Sequence, residues 1–403
     1  MIGNVLEWFD YAVYGFFATE IGQQITPHDM DPTEKTLISY AIFWSGFLAR
    51  PVGGLVLGAI GDRIGRRALL SLSIAMMGAA TLVIGLLPTY ETIGFAAPIL
   101  LVLMRMIQGF SLGGEFTGSM AYTTELASPL MRGIVASSTA AGTTLGFLLG
   151  QFTAWLVNRT LGHDVAADWG WRIPFLASLI LVVLGWFLRR GIHESEQGLK
   201  AAEQRAPILP SLIADWKPIV QTFGIVALTN AVYYLAFTFA VERRKAEDTA
   251  FQAMNMVSLG IVLVAKISGG WLSDRWGRRR MMIVLTVLLM AVLYFGQHFM
   301  LYGSPSTFLL GQIMLGIPLG MSLGLQGAMV VEIFPLRTRV TSMSFAYSIT
   351  LALAGGLMPI VATWLIDRWH YPTAPALYAM LYGVIGLPLM LMMRETNNRS
   401  LDD

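Results

Sequence analysis

Two carboxylates, Glu7 and Asp10, stand three residues apart inside a run of apolar and aromatic residues. At that spacing they share one helix face, and Tyr11 and Tyr14 extend the same region. Burial disfavours the charged form of a carboxyl group and a nearby cation favours it, so an acid in such a place can take up and release a proton. Arg105, near the middle of another apolar run, is such a cation, and Glu115 follows Gly113 and Gly114 farther along that run. Asp10, Glu7, Glu115 and Arg105 are therefore the candidate proton-coupling set. Lys266 is the one clear mid-run charge of the second half of the chain. Lys266 and Arg105 suit the anionic end of a ligand. Arg50, next to Pro51 and the pair Gly53 and Gly54, suits either a ligand or an ion pair with the acids. Asn230, Tyr233 and Tyr234 sit together on a further run. With Tyr11 and Tyr14 they complete the candidate binding set, since aromatic rings hold a quaternary ammonium by cation–π attraction.

These residues need long apolar elements to position them. Of the 403 residues, 55% are hydrophobic and 13% charged, with mean hydropathy +0.62. Soluble chains average about 25% charged residues. A bilayer core of roughly 30 Å takes about 20 helical residues, and apolar stretches of that length recur along almost the whole chain. They predict an all-α integral membrane protein with twelve transmembrane helices, over 2–24, 37–60, 68–88, 96–122, 134–158, 169–188, 219–241, 252–273, 281–303, 306–331, 340–366 and 374–393. A charge at the centre of such a helix costs about 2.5–3.5 kcal/mol on insertion, so each one is a functional hypothesis by default, beside a structural alternative such as an ion pair of Arg105 with a first-span acid.

Composition also excludes several classes. A net charge of +2 gives no footprint for nucleic acid, and the absence of cysteine rules out disulfides and thiolate metal sites. The five histidines (28, 163, 193, 298 and 370) are scattered, so neither metal nor cofactor is expected. No nucleotide-binding loop or nucleophile elbow is present, and no catalytic residue is assigned. No basic segment precedes the first apolar run, so no cleavable leader is expected.

Residues 189–217 form the one substantial polar linker, with Arg189, Arg190, Lys200, Arg205 and Lys217 among its charges. It divides the chain into an N-terminal half (1–188) and a C-terminal half (218–403). The loops on the side of the linker and termini hold 17 cations, and those on the other side hold 6. By the positive-inside rule the linker and both termini are cytoplasmic. Glu242, Arg243, Arg244 and Lys245 then fall on the external side and read as a tolerated charged loop.

The halves repeat each other. Residues 58–67 read GAIGDRIGRR and residues 270–279 read GWLSDRWGRR. Glu125 and Arg132 are seven apart, as are Glu332 and Arg339, and each pair lies between the fourth and fifth spans of its half. Gly58 and Gly270 let helices approach closely. Asp62 and Asp274 can accept from N–H groups at a helix N-terminus and pair with an arginine across the half-interface. Such a latch would hold one face shut. The candidate gating set is Gly58, Asp62, Arg63, Arg66, Asp274, Arg275, Arg278, Glu125, Arg132, Glu332 and Arg339.

At these residues the chain resembles the major facilitator superfamily, with GDRIGRR and SDRWGRR as its loop signature and Arg105-Met-Ile-Gln108-Gly109 as its fourth-helix motif. GNVLEWFDYAVYGFFA (3–18), QGFSLGGEFTGS (108–119) and DWGWRIPF (168–175) resemble the metabolite:proton symporter family, end to end. GGEFTGS and RETNNRSL look most like its proline/betaine branch. The resemblance implies two pseudo-symmetric six-helix halves and alternating access. It implies symport of protons with a small polar metabolite, by a monomer in the bacterial inner membrane. The metabolite is a zwitterionic osmolyte, or alternatively a di- or tricarboxylate such as citrate or 2-oxoglutarate. An antiporter or a non-transporting sensor on the same fold is a further alternative.

Overall fold

The computed structural model describes residues 2–64, 66–189, 208–244, 248–397 and 401. Twelve helical runs follow in order: α1 (Ile2–Phe16, continued by Ala18–Ile25), α2 (Pro32–Ile64), α3 (Arg66–Gly85), α4 (Ala96–Leu126), α5 (Arg132–Leu161), α6 (Arg172–Arg189), α7 (Trp216–Arg244), α8 (Ala250–Trp276), α9 (Arg278–Tyr302), α10 (Pro305–Ile333), α11 (Arg339–Trp369) and α12 (Ala374–Leu391). Short helices at Tyr90–Ile93, His163–Val165 and Ile208–Ala214 lie between them. The described residues contain no strand.

Among the described residues, nine of these runs are by themselves long and apolar enough to cross a membrane; α1, α3 and α6 are the others. In α1 the helix breaks at Phe17, whose φ of −116° and ψ of 19° leave the helical region, so two short segments stand where one was expected. Of α3, an apolar stretch of Ser71–Gly85 is described. In the predicted linker, 190–207 lie outside the described residues, and Ile208–Ala214 is helical.

Within the N-terminal half, α2 packs on α4, α1 on α5, and α3 on α6; within the C-terminal half, α8 packs on α10 and α7 on α12. The halves meet along α5 against α8 and α10, and along α2 against α11. The α5–α8 crossing is close because two glycines face each other there: a Cβ on Gly270 would strike the Gly133 carbonyl, and one on Gly133 would strike the Gly270 carbonyl. Two other runs are locally underwound into π-helical turns, Leu235–Phe239 in α7 and Leu351–Gly356 in α11. Such turns leave backbone groups under-bonded and cluster at functional sites. One is already used: the Trp44 indole N–H crosses from α2 to the Ala352 carbonyl at 2.8 Å.

The charged segment at 242–245 is not a loop as far as it is described. Ala240–Arg244 is the last turn of α7, with Glu242 and Arg244 buried. Arg244 donates to the carbonyls of Met300 (3.1 Å), Leu301 (2.6 Å) and Gly303 (2.8 Å) and lies 4.4 Å from the Phe251 ring centre. It thereby caps the C-terminus of α9, whose last carbonyls have no intrahelical partner. Lys245 lies outside the described residues.

Candidate functional site

A cavity of about 520 Å³ of atom-free space, including its solvent-open part, lies between the halves. The N-terminal half lines it with Trp8, Phe116, Thr143 and Phe147; the C-terminal half adds Asn230, Tyr233, Tyr234, Lys266, Gln326 and Tyr347. Sites for small ligands are largely apolar with a few placed polar groups, and this wall fits that description. Tyr233, Tyr234 and Phe147 form an edge-to-face cluster, with Phe147–Tyr233 centres 5.0 Å apart. The buried Tyr234 hydroxyl has no hydrogen-bond partner among the described residues.

Lys266 reaches across the interface. Its ammonium donates to the Ala140 carbonyl and the Thr143 hydroxyl, both at 3.0 Å, and sits 5.6 Å from the Tyr233 ring centre. It is the only charged side chain lining the cavity among the described residues, and no carboxylate lines it. A lysine has three donors, so one remains beyond these two bonds.

Of the expected binding residues, Lys266, Asn230, Tyr233 and Tyr234 line the cavity. The other four stand behind its wall. Arg105 is fully buried, 4.2 Å from the Tyr11 ring centre and 4.5 Å from that of Tyr14. The Tyr14 hydroxyl donates to the Ser39 carbonyl at 3.1 Å. Arg50 lies 5.2 Å from the Trp8 ring centre and 5.7 Å from that of Phe47.

Asp10 and Arg105 are joined through two residues that carry no charge. Arg105 donates to the Gln108 carbonyl oxygen, the Gln108 amide donates to the Thr81 hydroxyl, and Thr81 donates to the Asp10 carboxylate, each at 2.7 Å. Every donor points from cation to anion, an arrangement in which hydrogen bonds polarise one another. Thr81 has one hydroxyl hydrogen and a second acceptor in reach, the Met77 carbonyl at 2.9 Å. Its hydrogen can therefore turn to Met77 when Asp10 itself becomes a donor. Glu115 stands apart from this chain, where it accepts from Ser73 at 3.1 Å. Glu7 is buried one turn before Asp10.

At the motif-bearing end, Asp274 accepts from the Gly133 N–H (2.8 Å) and the Ile134 N–H (3.0 Å), in the first turn of α5 in the other half. Its arginine is Arg278 of its own half, at 2.9 Å, and Arg278 also holds Glu332 at 2.7 Å. An ion pair that does cross the interface is Arg339 with Glu125, at 3.0 Å. Arg132 is buried at the start of α5, and Arg275 stacks on Trp271 at 3.9 Å. Glu395 accepts from the N–H groups of Arg278 and Arg279 at the start of α9. Burial pushes its carboxyl up, but these N–H groups and that of Asn397 outweigh burial and hold it below its ordinary value. For Gly58, Asp62, Arg63 and Arg66 only the helical backbone is described, and their side chains lie outside the described residues.

Sequence reasoning missed Thr81, Thr143 and Gly133, and it quoted Gln108 only inside a motif. Neutral hydroxyls and glycines are frequent in apolar helices and give no signal until their partners are known.

Comparison with known proteins gives a consistent picture. A family profile described as "Sugar (and other) transporter" matches residues 1–201, and one described as "Major Facilitator Superfamily" matches residues 224–402. The chain is 34% identical to the proline/betaine transporter of Salmonella typhimurium, over 99% of this chain and 83% of that protein. It is 33% identical to the citrate-proton symporter of Salmonella typhi, over 97% of this chain and 92% of that protein. Among solved structures it resembles a double-tryptophan mutant of XylE, with a TM-score of 0.79 and 19% identity over 100% of this chain and 96% of the other.

Proposed function

The chain belongs to the major facilitator superfamily, and from that premise we propose that it carries a small zwitterionic metabolite together with protons by alternating access. The observation that carries this reading is the cavity wall: among the described residues, one cation, Lys266, faces a cluster of tyrosines, with no carboxylate. Lys266 takes the ligand's carboxylate as a charge-assisted hydrogen bond. Tyr233, Tyr234 and Tyr347 take its ammonium end by cation–π attraction, and Asn230 and Gln326 supply amides beside it. Asp10 carries the proton, and the chain through Thr81 and Gln108 links its charge to Arg105. The relatives named for proline and betaine support the substrate class. Those named for citrate support a second reading, a carboxylate with more than one negative charge.

In this reading the protein is a monomer in the bacterial inner membrane, with the motif-bearing end in the cytoplasm. The halves (1–188 and 218–403, joined by 189–217) rock about the cavity. Asp274 on the start of α5, steadied by Arg278, and Arg339 with Glu125 hold the cytoplasmic face shut. Gly58, Asp62, Arg63 and Arg66 belong to the matching loop of the first half, and Arg132 and Arg275 flank the same latch.

The deciding experiment is uptake into proteoliposomes with an imposed inward proton gradient, offering labelled glycine betaine, proline, citrate and 2-oxoglutarate. Accumulation of betaine or proline, abolished by a protonophore, is the expected result. Accumulation of citrate alone selects the second reading, and uptake indifferent to the gradient removes symport altogether.

Two further outcomes are expected of the same assay. Gly270→Ala places a methyl against the Gly133 carbonyl and keeps α5 and α8 from closing. Overpacking of this kind costs roughly 1–3 kcal/mol. The initial uptake rate should fall by about tenfold or more at unchanged membrane abundance, and a normal rate would show that this crossing need not close. Thr81→Val removes the hydroxyl that Asp10 and Gln108 share, while Thr81→Ser keeps it. The valine variant should change the pH dependence of uptake and the serine variant should not. Identical profiles for the two would disconnect Thr81 from proton coupling.

A further inference from the structure

We propose that Glu242 is the latch of the external face, the counterpart at that end of what Asp274 does at the cytoplasmic one. Glu242 Oε1 accepts from the Thr19 N–H at 2.8 Å, a contact between residues 223 apart in the chain and on opposite halves. Thr19 lies in the first turn of Ala18–Ile25, the segment that begins after the break in α1. First-turn N–H groups have no acceptor within their own helix, and no side chain caps this one locally. The carboxylate that takes the N–H comes from the last turn of α7 and is itself buried, at 5% exposure. The chemistry matches that of Asp274 on Gly133 and Ile134. At each end of the molecule a carboxylate of the C-terminal half binds the N–H of a helix start in the N-terminal half, where the partial positive charge of the helix favours an anion.

The surroundings make the contact depend on how the halves sit. Arg244, two residues on, is held by three carbonyls at the end of α9, so Glu242 travels with the C-terminal half. Just below, Gly15 of α1 faces Thr238 of α7, with space for a Cβ only 3.0 Å from the threonine methyl. Deeper still, Tyr14 stacks on Phe43 at 5.8 Å, and Phe43 meets Tyr234 at 5.9 Å. Separating the halves at this end must break the Glu242–Thr19 bond and part Gly15 from Thr238 and Phe43 from Tyr234. Both carboxylate–N–H contacts are made in this structure.

The inference rests on the alternating-access reading but not on any substrate or on proton coupling. The chain has no cysteine, so single reporters can be introduced without removing others. One is Thr238→Cys, under the external latch; the other is Ser137→Cys, buried beside Gly270 at the cytoplasmic crossing. Purified full-length protein in detergent is labelled with a charged maleimide, without substrate. Glu242→Gln keeps the shape and removes the charge, and Glu242→Asp keeps the charge and draws the oxygen back from Thr19. A charge-assisted bond exceeds a neutral one by roughly tenfold in an equilibrium. Each variant should raise the labelling rate at position 238 by about tenfold without raising it at position 137. Failure of the rate at 238 to rise in both variants overturns the proposal. So does a rise at both positions together, which would mean general loosening rather than the release of one face.

Discussion

Replacing Asp10 by Asn is expected to abolish proton-driven accumulation while leaving substrate exchange across the membrane intact. Asparagine has the same shape and can still accept from Thr81, whose hydroxyl bonds Asp10 at 2.7 Å, so the packing of α1 survives. It cannot bind a proton in the relevant range, so the cycle loses its driving ion. Each pH unit of gradient corresponds to about 1.4 kcal/mol, or tenfold, per proton. With two units imposed and one proton per substrate, the wild type should accumulate substrate about 100-fold. Asp10→Asn should stop at equal concentrations on both sides. Counterflow of labelled against unlabelled substrate should continue in the variant, because it needs only the loaded carrier. Accumulation that persists in Asp10→Asn would move the proton site elsewhere, with Glu7 and Glu115 next to be tested.

Lys266→Met is the second large effect, and it reads binding rather than coupling. Methionine fills a similar volume but cannot donate. The variant leaves the Ala140 carbonyl and the Thr143 hydroxyl without the donor they now have at 3.0 Å. More importantly, it leaves a substrate carboxylate without its cation. Hydrogen bonds to charged groups are worth roughly 1.5–3 kcal/mol, so the Kd for glycine betaine should rise by about 10- to 100-fold. Trp8 lies in the cavity wall, which makes tryptophan fluorescence a direct readout. Lys266→Arg should recover part of the loss. The companion variant Tyr234→Leu separates the two substrate readings: it should weaken a quaternary ammonium and leave citrate unaffected. Unchanged affinity for every ligand in Lys266→Met would take the anion site out of this cavity.

The repeat, the glycine in its motif and the midspan charges were legible before any coordinates, because each breaks the apolar background in a way that composition alone exposes. Lys266 and Asp274 stand where such a reading puts functional groups. Partners were less legible than residues. The latch was expected to join an aspartate to an arginine across the interface. Asp274 does take the N–H groups of a helix start across the interface, as expected, but its arginine is Arg278 of its own half, and an ion pair that crosses joins Glu125 to Arg339. Which acid meets which base depends on helix tilt and depth, and neither is written in spacing. The relay through Thr81 and Gln108 was silent for the same reason, since neutral side chains cost little to insert. Glu242 and Arg244 misled in the other direction: a run of charges reads as solvated loop until their buried acceptors and donors are seen. The break at Phe17 follows Gly15 by two residues, but a lone glycine in an apolar helix does not fix where it will break, and the carboxylate that takes the released N–H lies more than two hundred residues away.

The Glu125–Arg339 pair has a bearing on ancestry. Two identical subunits joined about a two-fold axis make each unlike contact twice, once from either side. This chain makes the Glu125–Arg339 contact and keeps Arg132 and Glu332 at the mirror positions, each displaced from its twin by the same 207 residues. Glu332 also binds Arg278, within its own half. The Glu125–Arg339 bond is a contact of the kind that would hold together a two-fold dimer of half-length proteins.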